Sequence, residues 1–295
     1  MSLASMFSVV WSALQREKKT VAILLLIDFT FFVLFALLHT FIVVQALPDL
    51  ASISQLVAKE SQNVPQVPEG AANVDPSQLQ FSFPIGEFRE RFTRVMGYTV
   101  LYLGVMFVLY NLLYAFLWMK TSAILKSSAL LKPSAMLRRK PMLYLTFLRR
   151  FAAVNAIWLL VYLGAFYLFI LLASAVMFGQ IALVSQGVID IAGITLAVII
   201  FYLAMVSHAL LPDYPVLPLL KRTVIVGVKR ILPIGLAFVL IGIFYYLVST
   251  LLALAAPVSA LLGFILFILF FVPLVTGSRM VFMAAVQGAA GTAKK

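Results

Sequence analysis

Apolar residues gather into six long runs divided by polar stretches, and this alternation organises the whole chain. The runs cover residues 21–47, 95–119, 151–178, 189–211, 231–254 and 259–275, and the last could continue past Arg279 to about residue 286. A helix crosses the hydrocarbon core of a bilayer with about 20 apolar residues. The pattern therefore predicts an all-α, polytopic membrane helix bundle of six transmembrane helices, forming a single integral membrane domain over 1–295. Residues 48–94 form a long polar connection containing Pro65, Pro68 and Pro76, predicted as an external loop.

Two further connections are basic. Residues 120–150 hold eight Lys and Arg and no acid, and 212–230 carry Lys221, Arg222, Lys229 and Arg230 against Asp213 alone. Together with the two ends of the chain, these segments hold 18 of the 22 basic residues and 2 acids. The other side of a six-span topology holds Lys59, Arg89, Arg91 and Arg94 against seven acids. Basic residues stay on the cytoplasmic side of a membrane, so both termini are expected in the cytoplasm. Val44-Gln45-Ala46 resembles a signal-peptidase site. The apolar run before it exceeds an h-region of about 7–15 residues, so a retained anchor is expected.

Composition narrows the class. Hydrophobic residues make up 64%, charged residues 11%, and mean hydropathy is +1.10. Soluble domains are about a quarter charged, so most of this chain faces something other than water. There is no Cys, which excludes disulfides, thiolate catalysis and cysteine-held metals. With two His, an all-imidazole metal site is not expected. The net charge of +12 lies beside the apolar runs, where it suits anionic lipid head groups; no nucleic-acid partner is expected.

Each odd-numbered span is preceded by a dibasic pair: Lys18-Lys19, Arg149-Arg150 and Lys229-Arg230. Before each pair lies a partly amphipathic stretch. In the first, within 1–20, Leu3, Met6, Phe7, Val10, Trp11 and Leu14 share one helical face. That helix is expected to lie in the membrane interface with Trp11 at head-group depth. The second opens at Pro141 and presents Leu143, Tyr144, Phe147, Leu148 and Phe151. The third opens around Pro215 and Pro218 and runs through Leu220, Val224 and Val228. The chain thus reads as three units of interfacial helix, span and return span. The alternative is that any six-span chain with its N-terminus inside carries basic residues before its odd spans.

In segments 7–28, 142–163 and 219–241 this organisation resembles a group of six-span prokaryotic membrane proteins. That group includes the membrane domain of glycerophosphodiester phosphodiesterases. The resemblance implies a prokaryotic plasma-membrane location and covers organisation rather than chemistry. The soluble phosphodiesterase domain is absent from this sequence, so no such activity carries over.

Few residues offer chemistry. Asp28 lies roughly 12 Å into the first span, at a cost of about 2.5–3.5 kcal/mol unless it is paired or protonated. It reads as a proton or cation site, or as one half of an ion pair with Arg279; the pair is favoured. His39 lies further along the same span, and a relay between the two would need Asn111, Tyr110, Tyr114 and Asn155 as intermediates. A hydrogen bond to a packed neighbour is the plainer expectation for His39. His208 and Asp213 are expected at one mouth of span 4, as a capping contact or a pH-sensitive one. Arg89, Arg91 and Arg94 depart from the charge rule and suit lipid phosphate, with pairing to Glu87 and Glu90 as the second reading. Arg138, Arg139, Lys140, Arg149, Arg150, Lys229 and Arg230 are further candidate head-group or partner contacts.

Pro273 and Gly277-Ser278 predict a kink in span 6. Metalloprotease, nucleophile-elbow and Walker motifs are absent, and no cofactor or metal is expected. The expected function is a non-catalytic component of a membrane complex that binds lipids, preferably anionic ones, or a partner protein. The alternative is a transporter, or the permease subunit of an exporter driven by a separate ATPase.

Overall fold

The computed structural model describes residues 3–62, 84–127, 143–177 and 186–292. Among these residues every regular element is helical: α1 (Leu3–Arg16), α2 (Lys18–Gln62), α3 (Ile85–Ser127), α4 (Tyr144–Met177), α5 (Gln186–Leu210), α6 (Val216–Lys229), α7 (Ile231–Ala255), α8 (Ala260–Leu266) and α9 (Val272–Thr292). A π-helical turn, Phe267–Phe271, joins α8 to α9. Six helical segments are long and apolar enough to cross a membrane. The protein is an all-α, multi-pass membrane protein.

The helices divide into two compact units, Met1–Thr30 with Tyr110–Lys295, and Phe31–Leu109; α2 and α3 contribute to both. In the larger unit α4 packs along α5, α7 along α9, and α1 against α9. Its buried core is concentrated where the spans meet the basic segments. Leu117, Trp118 and Leu125 of α3, Phe147 and Phe151 of α4, Val206 and Leu210 of α5 and Phe282 of α9 pack together there. Further along the same spans, large apolar side chains such as Leu160, Tyr167 and Ile191 are exposed. An apolar exterior above a packed base is what a hydrocarbon solvent permits.

Several elements differ from the hydrophobic pattern. α2 does not stop at residue 47 but passes through Pro48 to Gln62, and α3 begins at Ile85 rather than near 95. The proposed loop 48–94 is therefore helical at both ends. Hydropathy marks where a helix leaves the hydrocarbon, not where its hydrogen bonding ends. At 1.5 Å per residue these helices reach roughly 65 Å, about twice the thickness of the core.

The buried face of α1 is Val9, Val10 and Ala13, while Phe7 and Trp11 are exposed. The apolar stripe is thus shared between α9 and the surroundings. α6 divides its apolar residues in the same way. Leu219, Thr223, Val226 and Gly227 are buried, whereas Val224 and Val228 of the expected face are exposed. A Cβ at Gly227 would stand 3.0 Å from Leu203 Cδ2, so glycine permits the close approach of α6 to α5. Tyr202 Oη donates to the Gly227 carbonyl at 3.0 Å across that contact. The stretch before span 3 is not a separate element, since α4 runs unbroken from Tyr144. The final span takes the longer of its two expected extents, running past Arg279, and α9 continues to Thr292.

Candidate functional site

α2 and α9 each place one charged side chain in the interior of the larger unit. Asp28 and Arg279 are both buried. Arg279 Nη2 donates to Asp28 Oδ1 at 2.6 Å and to Oδ2 at 2.7 Å. Thr276 Oγ1 donates to Oδ2 at 2.6 Å, one helical turn before Arg279. The guanidinium lies over the Tyr114 ring at 5.3 Å from its centroid, and Tyr114 stacks on Tyr110 at 4.5 Å. Charge, hydrogen bonds and a π face thus surround a guanidinium whose isolated burial would be prohibitive. Arg279 Nη1 is buried with no hydrogen-bond partner among the described residues.

α3, α4 and α5 build a second polar group. Asn155 Nδ2 donates to Asn111 Oδ1 at 2.8 Å. His208 Nε2 lies 2.8 Å from Asn155 Oδ1, which fixes Nε2 as the donor, since a carbonyl oxygen only accepts. The imidazole is stacked on Phe151, with ring centroids 4.8 Å apart, and tilted against Trp118. Next to it, Trp158 Nε1 donates to Ser207 Oγ at 2.9 Å, and Ser207 Oγ donates to the Ala204 carbonyl. In a low-dielectric interior such bonds hold helices together because the alternative is an unmet polar group.

His208 does not meet Asp213. The last turn of α5 aims the imidazole inward between Phe151 and Trp118, and Asp213 in the following turn takes Lys126 Nζ at 2.8 Å instead. The sequence-derived intermediates also divide differently from a relay. Asn111 and Asn155 run toward His208, while Tyr110 and Tyr114 stack beside Arg279. His39 belongs to the smaller unit, where it is exposed, stacked on Phe35 and tilted against Tyr102.

The smaller unit binds its two helices through an acid the hydrophobic pattern did not single out. Asp49, directly after Pro48, is buried and lies 3.6 Å from Arg91 Nη1 and 3.3 Å from Arg94 Nη2. Arg91 Nη2 also pairs with Glu87 at 2.9 Å, and Arg94 Nη2 lies 3.7 Å from Glu90. Arg91 and Arg94 are thus engaged within the protein. Arg89 is exposed and pairs with no carboxylate among the described residues. The same holds for Arg16, Arg149 and Lys229, and for the half-buried Arg150 and Arg230. Arg138, Arg139 and Lys140 lie outside the described residues.

Among the described residues no three His, Asp or Glu converge as metal ligands would. Fold and polar interior together define a six-span membrane protein in which Asp28, Thr276 and Arg279 bond to one another, as do Asn111, Asn155 and His208. Comparison with family models, curated proteins and solved structures gives no match.

Proposed function

We propose that this protein is a non-catalytic membrane component that binds anionic lipid head groups, in the plasma membrane with its basic face in the cytoplasm. The observation that carries the reading is how the polar groups are used. Asp28, Thr276 and Arg279 close on one another, as do Asn111, Asn155 and His208. Arg16, Arg149 and Lys229, by contrast, are exposed without acidic partners among the described residues, beside long apolar helices. Cations so placed attract anionic lipid at about 1 kcal/mol each.

Spin-labelled lipids in reconstituted vesicles test this. The motionally restricted fraction should be larger for phosphatidylglycerol than for phosphatidylcholine. That preference should fall when Arg149, Arg150, Lys229 and Arg230 are replaced together by Gln. Equal restriction of the two lipids by the parent protein would overturn the reading.

One observation favours the second reading, a transporter or ATPase-coupled permease. Arg279, the α9 member of the pair with Asp28, follows a π-helical turn and Pro273 by about two turns, an irregularity of the kind found where helices move.

A further inference from the structure

α1, α7 and α9 enclose a groove of about 660 Å3 within the larger unit. Phe7 and Trp11 form its α1 wall, Ala237 and Phe244 mark its extent along α7, and Pro273 and Gly277 line it from α9. Its volume suits a small-molecule or single-chain ligand, in the range of about 300–1,000 Å3 typical of such sites. Of the fourteen lining residues only Ser8 and Ser278 are polar, and Ser278 Oγ is already bonded to the Val275 carbonyl and to Tyr245 Oη. A polar solute would find almost nothing to bond. Hydrocarbon would lose nothing.

The groove exists because two helices present little side chain to it. Ala237 is small, and a Cβ built at Gly277 meets no atom within 4 Å. At the start of α7 stands a cation: Arg230, its N-terminal flanking residue, precedes the lining residue Ala237 by two turns on the same face, roughly 10 Å at 1.5 Å per residue. Lys229, the last residue of α6, adjoins it. Neither cation has an acidic partner among the described residues.

We infer that the groove holds one acyl chain of an anionic glycerophospholipid whose phosphate is met by Lys229 and Arg230. The inference rests on the lipid-binding reading above and turns it from a diffuse surface attraction into one seat. An apolar slot beginning two helical turns from two cations without acidic partners among the described residues matches a molecule with an anionic head and a hydrocarbon tail. A helix from another protein would bury the slot but leave the cations uncompensated.

The test uses the full chain purified in mild detergent, with retained phospholipid quantified after exchange against phosphatidylglycerol or phosphatidylcholine of identical acyl chains. Three variants are compared. Gly277→Phe fills the groove where the structure has open space, Gly277→Ala adds only a methyl group, and a double Gln variant neutralises Lys229 and Arg230.

The parent and Gly277→Ala should each retain one phosphatidylglycerol and resist replacement by phosphatidylcholine. Gly277→Phe should retain none while keeping the parent's thermal midpoint, which shows that it has folded. The double variant should bind roughly 25-fold more weakly, each cation near an anionic head contributing about fivefold. Retention by Gly277→Phe equal to the parent's, with loss in the double variant, would overturn the groove and leave surface lipid binding standing. Equal retention of phosphatidylcholine by the parent would overturn both. A bound protein in place of lipid would overturn the choice of occupant.

Discussion

Asp28→Asn is the most revealing single change. The substitution keeps the shape of the side chain and one oxygen able to accept from Thr276 or Arg279, but it removes the countercharge. Arg279 then stays ionised in the interior, because a guanidinium does not release its proton. Breaking a buried pair from one side costs about 3–5 kcal/mol, on the order of 10 °C in melting temperature for a domain of this size.

The converse change, Arg279→Gln, should cost less, since an abandoned carboxylate can bind a proton and become neutral. Replacing both, as Asp28→Leu with Arg279→Met, should recover most of the loss, because hydrophobic residues of similar volume often substitute for a buried pair without penalty. Thermal unfolding of the four proteins in one detergent gives the double-mutant cycle directly. An Asp28→Asn protein within about 1 kcal/mol of the parent would refute the reasoning, since no structural pair of this geometry could be lost so cheaply.

Other expectations follow from the same contacts. Asn155→Leu strips Asn111 and His208 of their shared partner and should destabilise by about 1–3 kcal/mol in the same melting assay. Asp213→Asn breaks the Lys126 contact, but both side chains are partly exposed, so a change below about 1 kcal/mol is expected. Pro48→Ala restores a backbone donor within α2 and should raise the melting temperature and the helical signal in circular dichroism, provided Asp49 keeps its arginines.

The fold was readable because a bilayer demands runs of apolar residues of fixed length, and that demand is written in one dimension. Span ends were less so. Residues 48–62 are polar enough to leave the hydrocarbon yet keep their backbone hydrogen bonds, so the pattern that marks the membrane boundary does not mark the end of α2. Which apolar residues of α1 and α6 pack on protein was hidden for a related reason. Each helix is apolar on two sides, one against protein and one outward, and periodicity alone does not separate them.

Among the polar residues, Asp28 and Arg279 could be matched in sequence as a lone acid and a lone cation at comparable depths of two spans. Asn111, Asn155 and His208 come from three helices whose neighbours and rotations no linear spacing encodes. Asp49 was likewise hidden, because its partners Arg91 and Arg94 had local acids of their own at i,i−4.

The proposal that this is a lipid-binding component rather than the permease half of a machine can be tested in one measurement: native mass analysis of the protein extracted from its own membrane in mild detergent. The account predicts a mass increment of anionic phospholipid and no ATPase in the complex. A stoichiometric ATPase subunit would contradict it and make the Asp28–Arg279 pair part of a transport cycle.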